Sequence, residues 1–267
     1  MGNRRIFLAI CFIQLFIIDG CGQKLQDNNK LPNQTERVPF DYNKRNIYVF
    51  SVKAFNASNT LFYADTLGLM CTNKVCQYDS TQKMICWLYL TATENDTYTF
   101  NPAKNNNNGS GIISSKEELF LHPQRIDQYT ILEICPYPYL RFPLFIGKKW
   151  DWDLNVGSQY CPGGAIIWKG NELFKSAYEV ADTLRLESGF GKISCYQIHA
   201  TNNSRFGKSS ADFYYSYKYG IVRLLYSPLD HTKIEFNFLT QFNDPKLFIT
   251  RFPRYQNDDG SLDYFLK

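Results

Sequence analysis

Histidine and methionine are nearly missing from this chain of 267 residues, with three of each. The histidines, His122, His199 and His231, are far apart. No His-x₃₋₅-His pair or second close cysteine pair accompanies them, which leaves no zinc-type ligand set. Neither G-x-S-x-G, G-x-x-x-x-G-K-[ST] nor G-x-G-x-x-G occurs, so no serine elbow, phosphate loop or dinucleotide fingerprint can be drawn. The Gly pair in "CPGGAI" (161–166) reads as a turn. Strong charge is absent too. The formal net charge is +4, too weak and diffuse to point to nucleic acid. Long helical periodicity is wanting: few segments keep apolar residues at i, i+3, i+4, i+7 without Gly, Pro or a β-branched cluster.

The first residues do carry a pattern. Asn3-Arg4-Arg5 precedes an apolar run from Ile6 to Ile18 broken only by Gln14, and Asp19-Gly20-Cys21 closes it. A basic head, a short apolar stretch and a small residue at the cut describe a secretory signal peptide over residues 1–20. The run falls short of the roughly 20 residues that span a bilayer. Ile18-Asp19-Gly20-Cys21 resembles a bacterial lipobox, in which Cys21 takes a diacylglycerol thioether and becomes the mature N-terminus. Asp19 departs from that pattern, and the alternative is ordinary cleavage with Cys21 left as a structural thiol. Residues 22–46 are rich in Gln, Asn and Lys with little to bury, and read as a flexible tether after a lipidated Cys21.

Eight cysteines fall to six once Cys11 and Cys21 are set aside. An even number in an exported chain suggests disulfides, and Cys71 and Cys76 in "CTNKVC" are the expected pair because their loop is short. Cys86 and Cys195 lie in apolar strands, where a free buried thiol is common. Sequons begin at Asn33, Asn56, Asn95, Asn108 and Asn202, and keep a glycosylated eukaryotic protein as an alternative.

Strands dominate the remainder, residues 47–267. The stretches 46–55, 84–93, 96–102, 129–135, 192–201, 211–220, 221–227 and 232–242 are rich in β-branched and aromatic residues and bounded by turn formers. "NELFKSAYEVADTLRLE" (171–187) suits either a helix or a strand. In "KIEFNFLTQF", Ile234, Phe236 and Phe238 alternate with polar neighbours, the mark of an antiparallel sheet with one wet face. Tyr219-Gly220 reads as a hairpin turn. The low-complexity stretch 101–111 reads as an exposed loop, and "ICPYPYLRFP" (134–143) as an extended connector held down by Tyr137, Tyr139 and Phe142.

Few residues carry chemistry. "KKWDWDL" (148–154) sets Trp150 and Trp152 on one face of a strand and Asp151 and Asp153 on the other. Paired carboxylates do acid–base work and tryptophans stack on sugars, but a core face and a solvent face explain the same alternation. His122 and Arg125 in "HPQR" form a polar cluster able to bind a carboxylate or phosphate. With Trp150 and Trp152 they are the weak ligand candidates. No catalytic residue, metal site or cofactor is assigned.

Residues 140–242 are similar to uncharacterised bacterial domains of the DUF3108 and TapB-like kind. The matching landmarks are Gly147 and Trp150, Tyr178 and Val180, Cys195 and Ile198, and Tyr215 with Gly220, Ile221 and Val222. The resemblance implies a mainly β fold: a curved antiparallel sheet, a half-barrel like LolA, with few short helices. It implies an apolar cavity and lends no catalytic residues. The expectation is therefore a lipid-anchored, non-catalytic envelope protein of a Gram-negative bacterium, on the outer membrane. Its partners would be the membrane through Cys21 and an apolar ligand or envelope protein. A secreted hydrolase using Asp151 and Asp153, or a eukaryotic lipocalin-like binder, are the alternatives.

Overall fold

The computed structural model describes residues 38–42, 46–76, 79–94, 97–101, 103–104, 108–162 and 166–243. Residues 1–37, which hold the expected leader, Cys21 and Asn33, lie outside them, as does Asn95.

Thirteen strands form one antiparallel sheet. They are β1 (Ile47–Phe55), β2 (Leu61–Cys76), β3 (Asp79–Ala92), β4 (Tyr98–Phe100), β5 (Asn108–Ser114), β6 (Glu118–Leu121), β7 (Tyr139–Arg141), β8 (Lys149–Gly157), β9 (Asn171–Ser188), β10 (Gly191–Ser204), β11 (Gly207–Ser216), β12 (Gly220–Ser227) and β13 (Lys233–Phe242). The order across the sheet is β7-β6-β5-β3-β2-β1-β13-β12-β11-β10-β9-β8, with β4 paired to β3 off this path. The first and last strands meet through β1 and β13, where Val52 faces Phe236 and Ile47 faces Phe242.

The sheet curls into a nearly closed barrel. Its two edges, β7 and β8, are neighbours in sequence and meet through side chains rather than a hydrogen-bonded ladder. The Trp150 indole donates to the Tyr139 carbonyl at 3.1 Å, and the Trp152 ring lies 5.8 Å from that of Tyr139. One buried cluster draws on strands all around the sheet, from Phe50 on β1 and Trp87 on β3 to Tyr178 on β9, Phe213 on β11 and Phe236 on β13. The interior of the barrel is thus filled by its own aromatic side chains.

Sequence expectations meet this fold unevenly. Residues 171–187 resolve as strand β9, and their alternation is that of a half-buried strand: Phe174, Ser176, Tyr178 and Val180 are buried between exposed or half-exposed neighbours. Gly220 takes φ 73° in the β11–β12 turn, as the Tyr219-Gly220 hairpin requires. Three readings need correction. The expected strand at 129–135 is a 3-10 helix, Asp127–Ile134. The expected loop 101–111 runs at its end into β5, where Ser110 pairs with Ile85. From the expected tether 22–46, Tyr42 is buried at 3% exposure.

The expected disulfide is also absent. All six cysteines from Cys71 to Cys195 are free thiols. Cys71 and Cys76 both lie on β2. The pairing with β3 is irregular between them, and Cys71 is buried while Cys76 is half-exposed, so the short loop expected to close a disulfide is strand instead. Cys86 stands beside Cys71 across the β2–β3 ladder, but the two belong to clusters on opposite faces of the sheet. Burial holds the Cys86 and Cys195 thiols up at about 12, so both are inert at neutral pH.

Candidate functional site

The four weak ligand candidates come together at the seam between β6, β7 and β8. Trp152 packs on Phe120 at 5.2 Å and on Tyr137 at 5.7 Å. His122 contacts the same two rings, at 4.8 and 5.2 Å. Trp150 stacks on Tyr178 at 5.4 Å with the planes 3° apart, and the Tyr178 hydroxyl donates to the Tyr137 carbonyl at 3.1 Å. The proline-rich connector 134–143 is the hub of this seam. Its prolines keep Tyr137 and Tyr139 extended, so their rings enter the core while their carbonyls accept from Tyr178 and Trp150.

Arg125 is held from within through both terminal nitrogens, while its Nε is buried without a hydrogen-bond partner. Its Nη1 donates to both oxygens of Glu133, at 2.8 and 3.1 Å, and its Nη2 to the Ser110 hydroxyl at 2.8 Å. Glu133 is 7% exposed, and the Tyr137 hydroxyl donates to its main-chain carbonyl at 3.2 Å. Burial opposes the Arg125 charge, but Tyr137 and Glu133 outweigh it and leave the guanidinium more firmly charged than usual. Burial lifts Glu133 above the usual carboxylate range, against the pull of Arg125. An ion pair this enclosed, with Nη1 on Glu133 and Nη2 on Ser110, is a structural clamp joining the 3-10 helix to β5. An incoming carboxylate or phosphate would have to displace Glu133.

His122 is no acid–base catalyst near neutral pH. Burial first, and then the Arg125 charge, push its pKa down to about 3. Its Nδ1 is buried and has no hydrogen-bond partner. The ring is a neutral, mostly aromatic member of the seam.

Asp151 and Asp153 stand on the outer face of β8, opposite Ala177 and Lys175. Both are exposed, while Trp150 on the inner face is 7% exposed. Carboxylates and indoles therefore lie on opposite sides of the sheet and share no cleft. His199 pairs with Asp212 at 3.0 Å on the exterior. His231 occupies a turn with φ 62°. Asn202 is buried, and its amide donates to the Ile134 carbonyl at 3.0 Å, so the folded chain offers no glycan acceptor there. Asn56 is exposed, with its Oδ1 accepting from the Ser58 and Thr60 amides at 3.0 and 2.9 Å. Among the described residues no three His, Cys, Asp or Glu side chains gather as a metal site.

The sequence reading missed Glu133 and Ser110. A signal existed: Glu133 is a lone carboxylate in the apolar run "YTILEIC", and such a group is buried only when paired.

One cleft involves other residues. A shift in pairing between Gln197 and Ile198 bends the long β9–β10 hairpin. Its tip crosses to β13, where Phe190 stacks on Phe238 at 5.5 Å. Beneath it lies a cavity of about 70 Å³ lined by Leu186, Glu187, Ile193, Arg223, Asn237 and Phe238, among others. A drug-sized ligand needs roughly 300 Å³ or more, so this space suits a few waters.

No family model matches the chain, and no curated protein does; the likeness to DUF3108 and TapB-like domains rests on the residues that suggested it. Among solved structures, the chain is similar to an exported protein with YmcC-like fold from Bacteroides fragilis. There the TM-score is 0.44 and identity 11%, covering 78% of this chain and 100% of that one. It is similar to a lipoprotein from Parabacteroides distasonis, with TM-score 0.38, 11% identity, and 77% and 99% of the two chains covered. It is also similar to the hypothetical lipoprotein YmcC from Escherichia coli K12, with TM-score 0.34, 10% identity, and 73% and 84% covered.

Proposed function

We propose that this protein is a lipid-anchored component of the Gram-negative cell envelope, held in the outer membrane through acylated Cys21 and acting by non-catalytic interaction. The lipobox-like Ile18-Asp19-Gly20-Cys21 supports the anchor. One structural observation supports the interaction role: the residues best equipped for chemistry are consumed internally. Arg125 is clamped by Glu133, His122 is held neutral, and Trp150 and Trp152 fill the seam that closes the barrel. A barrel packed with its own rings has little room for an acyl chain, which leaves its outer surface and rims to meet a partner.

Mass spectrometry of the mature N-terminus from native membranes tests this reading. Acylated Cys21 is the expected species, and Cys21→Ala should move the chain from the membrane to the soluble fraction. An unmodified Cys21, or cleavage elsewhere, would overturn the anchor.

A further inference from the structure

Every pairing in the sheet is antiparallel, so successive turns alternate between the two rims of the barrel. One rim gathers the β7–β8 turn (142–148), the β9–β10 tip at Phe190 and the β11–β12 turn at Tyr217–Tyr219. These turns touch one another. The Leu144 amide donates to the Tyr217 hydroxyl at 3.2 Å, and Phe190 stacks on Tyr219 at 5.5 Å. Three large apolar side chains project from this rim: Phe145 is 42% exposed, Ile146 58% and Phe190 43%.

Cations are interleaved with them. Lys148 lies 5.8 Å from the Phe145 ring and donates to the carbonyls of Arg141 and Pro143. Lys218 lies 4.9 Å over Tyr219. Lys149 is matched by Glu179 at 3.2 Å and Lys192 by Glu187 at 3.3 Å. An apolar tip flanked by partly compensated lysines suits the boundary between lipid headgroups and acyl chains.

The chain arriving from Cys21 joins the fold at this same rim. The Phe40 amide donates to the Tyr215 hydroxyl at 2.7 Å, and the Ile221 amide to the Tyr42 hydroxyl at 2.8 Å. Both contacts are beside the β11–β12 turn. Sixteen residues lie between Cys21 and Val38, which reach at most about 58 Å. To present the opposite rim, it would have to run back along the barrel, whose ten-residue β13 is about 33 Å long.

We propose that the rim carrying Phe145, Ile146 and Phe190 is a membrane-docking surface, seating the barrel on the bilayer that holds Cys21. The proposal rests on the anchored reading for its geometry, because the tether keeps the rim at high effective concentration near lipid. Contact is mainly apolar, so it depends only weakly on salt.

Photo-crosslinking of the full chain, purified from membranes and reconstituted in phosphatidylethanolamine–phosphatidylglycerol vesicles, tests it. Benzoylphenylalanine at 145, 146 or 190 should give lipid adducts roughly fivefold more often than at Phe62 or Ile167, exposed apolar positions toward the opposite rim. The exposed double variant Phe145→Asp/Ile146→Asp should abolish the adducts at 190 without loss of folding. Equal yields at both rims would overturn the proposal. So would adducts at 145 to residues 244–267 in place of lipid. The intact mass of the same sample reports the state of Cys21, so an acylated chain without rim adducts refutes docking alone. An unacylated chain with rim adducts refutes the anchor alone.

Discussion

Strands β1–β3 and strands β8–β11 belong to one sheet, yet the first group is covered on both faces and the second, over most of its length, on one. On β1–β3 the inner positions Phe50, Leu69 and Trp87 join the barrel core, while Val49, Met70 and Leu88 between them form a second buried cluster. The 3-residue β4 lies over that second cluster, and its Tyr98 stacks on Phe242 of β13 at 6.0 Å. On β8–β11 the outward positions Lys149, Asp151, Glu179, His199 and Asp212 are wholly or partly exposed, and cover returns only near the β9–β10 tip, over Cys195 and Tyr214. A strand with two dry faces reads as a continuous apolar run, "MICWLYL", and one with a wet face alternates. The difference lies in what each half has outside it.

The comparison breaks first where the two halves agree. Inner-face truncations should cost the same on both sides. Trp87→Ala, which removes an indole touching Phe50 and Phe236, and Phe213→Ala on β11 should each lower unfolding free energy by about 3–5 kcal/mol. Chemical denaturation measures both. A loss below about 1 kcal/mol at Phe213 would mean the β8–β11 half is not built on the common core.

Outer-face truncations should separate the halves. Leu88 is 3% exposed, and Leu88→Ala should cost about 2–4 kcal/mol. Thr201, exposed on β10, should tolerate Thr201→Ala within about 0.5 kcal/mol. Equal small losses at both would show that the second cluster contributes nothing.

Much of this was legible from residues. Clean alternation in "KIEFNFLTQF" gives the faces of β13, because period 2 with one wet face has no helical reading. Around Tyr178 the alternation is present but leaves a helix open, and only the structure resolves it as β9. The 3-10 helix was not. "YTILEIC" is composed like a strand, but between Pro123 and Pro136 it must bridge rather than pair, with Tyr129, Leu132 and Ile134 all buried. Tertiary context overrode propensity. The seam was half legible. Trp150, Trp152, His122 and Arg125 each stood out, but their meeting depends on barrel closure between β7 and β8, which no local pattern encodes. Glu133 was hidden by the misread segment, and with it the internal partner that occupies Arg125.

His122 lets pH probe the closed seam without touching either outer face. The unfolded chain takes up a proton near 6.5, but the folded chain refuses it until about 3. Between those values the unfolded state binds more protons, so stability falls as pH falls, by at most about 1.4 kcal/mol per pH unit from this one group. Above 6.5 it contributes no slope. His122→Gln should flatten the acid limb of stability against pH by up to that amount. An unchanged limb would place the imidazole in water.

A coupling of about 1 kcal/mol is the effect most specific to the doubly covered half. Gly68 sits on β2 facing Leu88 across the ladder. A Cβ there would lie 2.8 Å from Ile47 Cγ2 and 2.9 Å from Leu90 Cδ1. Its φ is not in the left-handed region, so no backbone strain arises and the obstacle is purely the outer packing. Gly68→Ala should therefore destabilise by about 1–2 kcal/mol, the usual range for overpacking a tight site. Leu90→Ala opens the space that the new methyl needs, so the two changes should couple. In the double variant the Gly68→Ala penalty should shrink by about 1 kcal/mol, well above the error of a double-mutant cycle. Additive losses would locate the penalty in the strand itself, and the outer cluster would then have no part in fixing a glycine at this position.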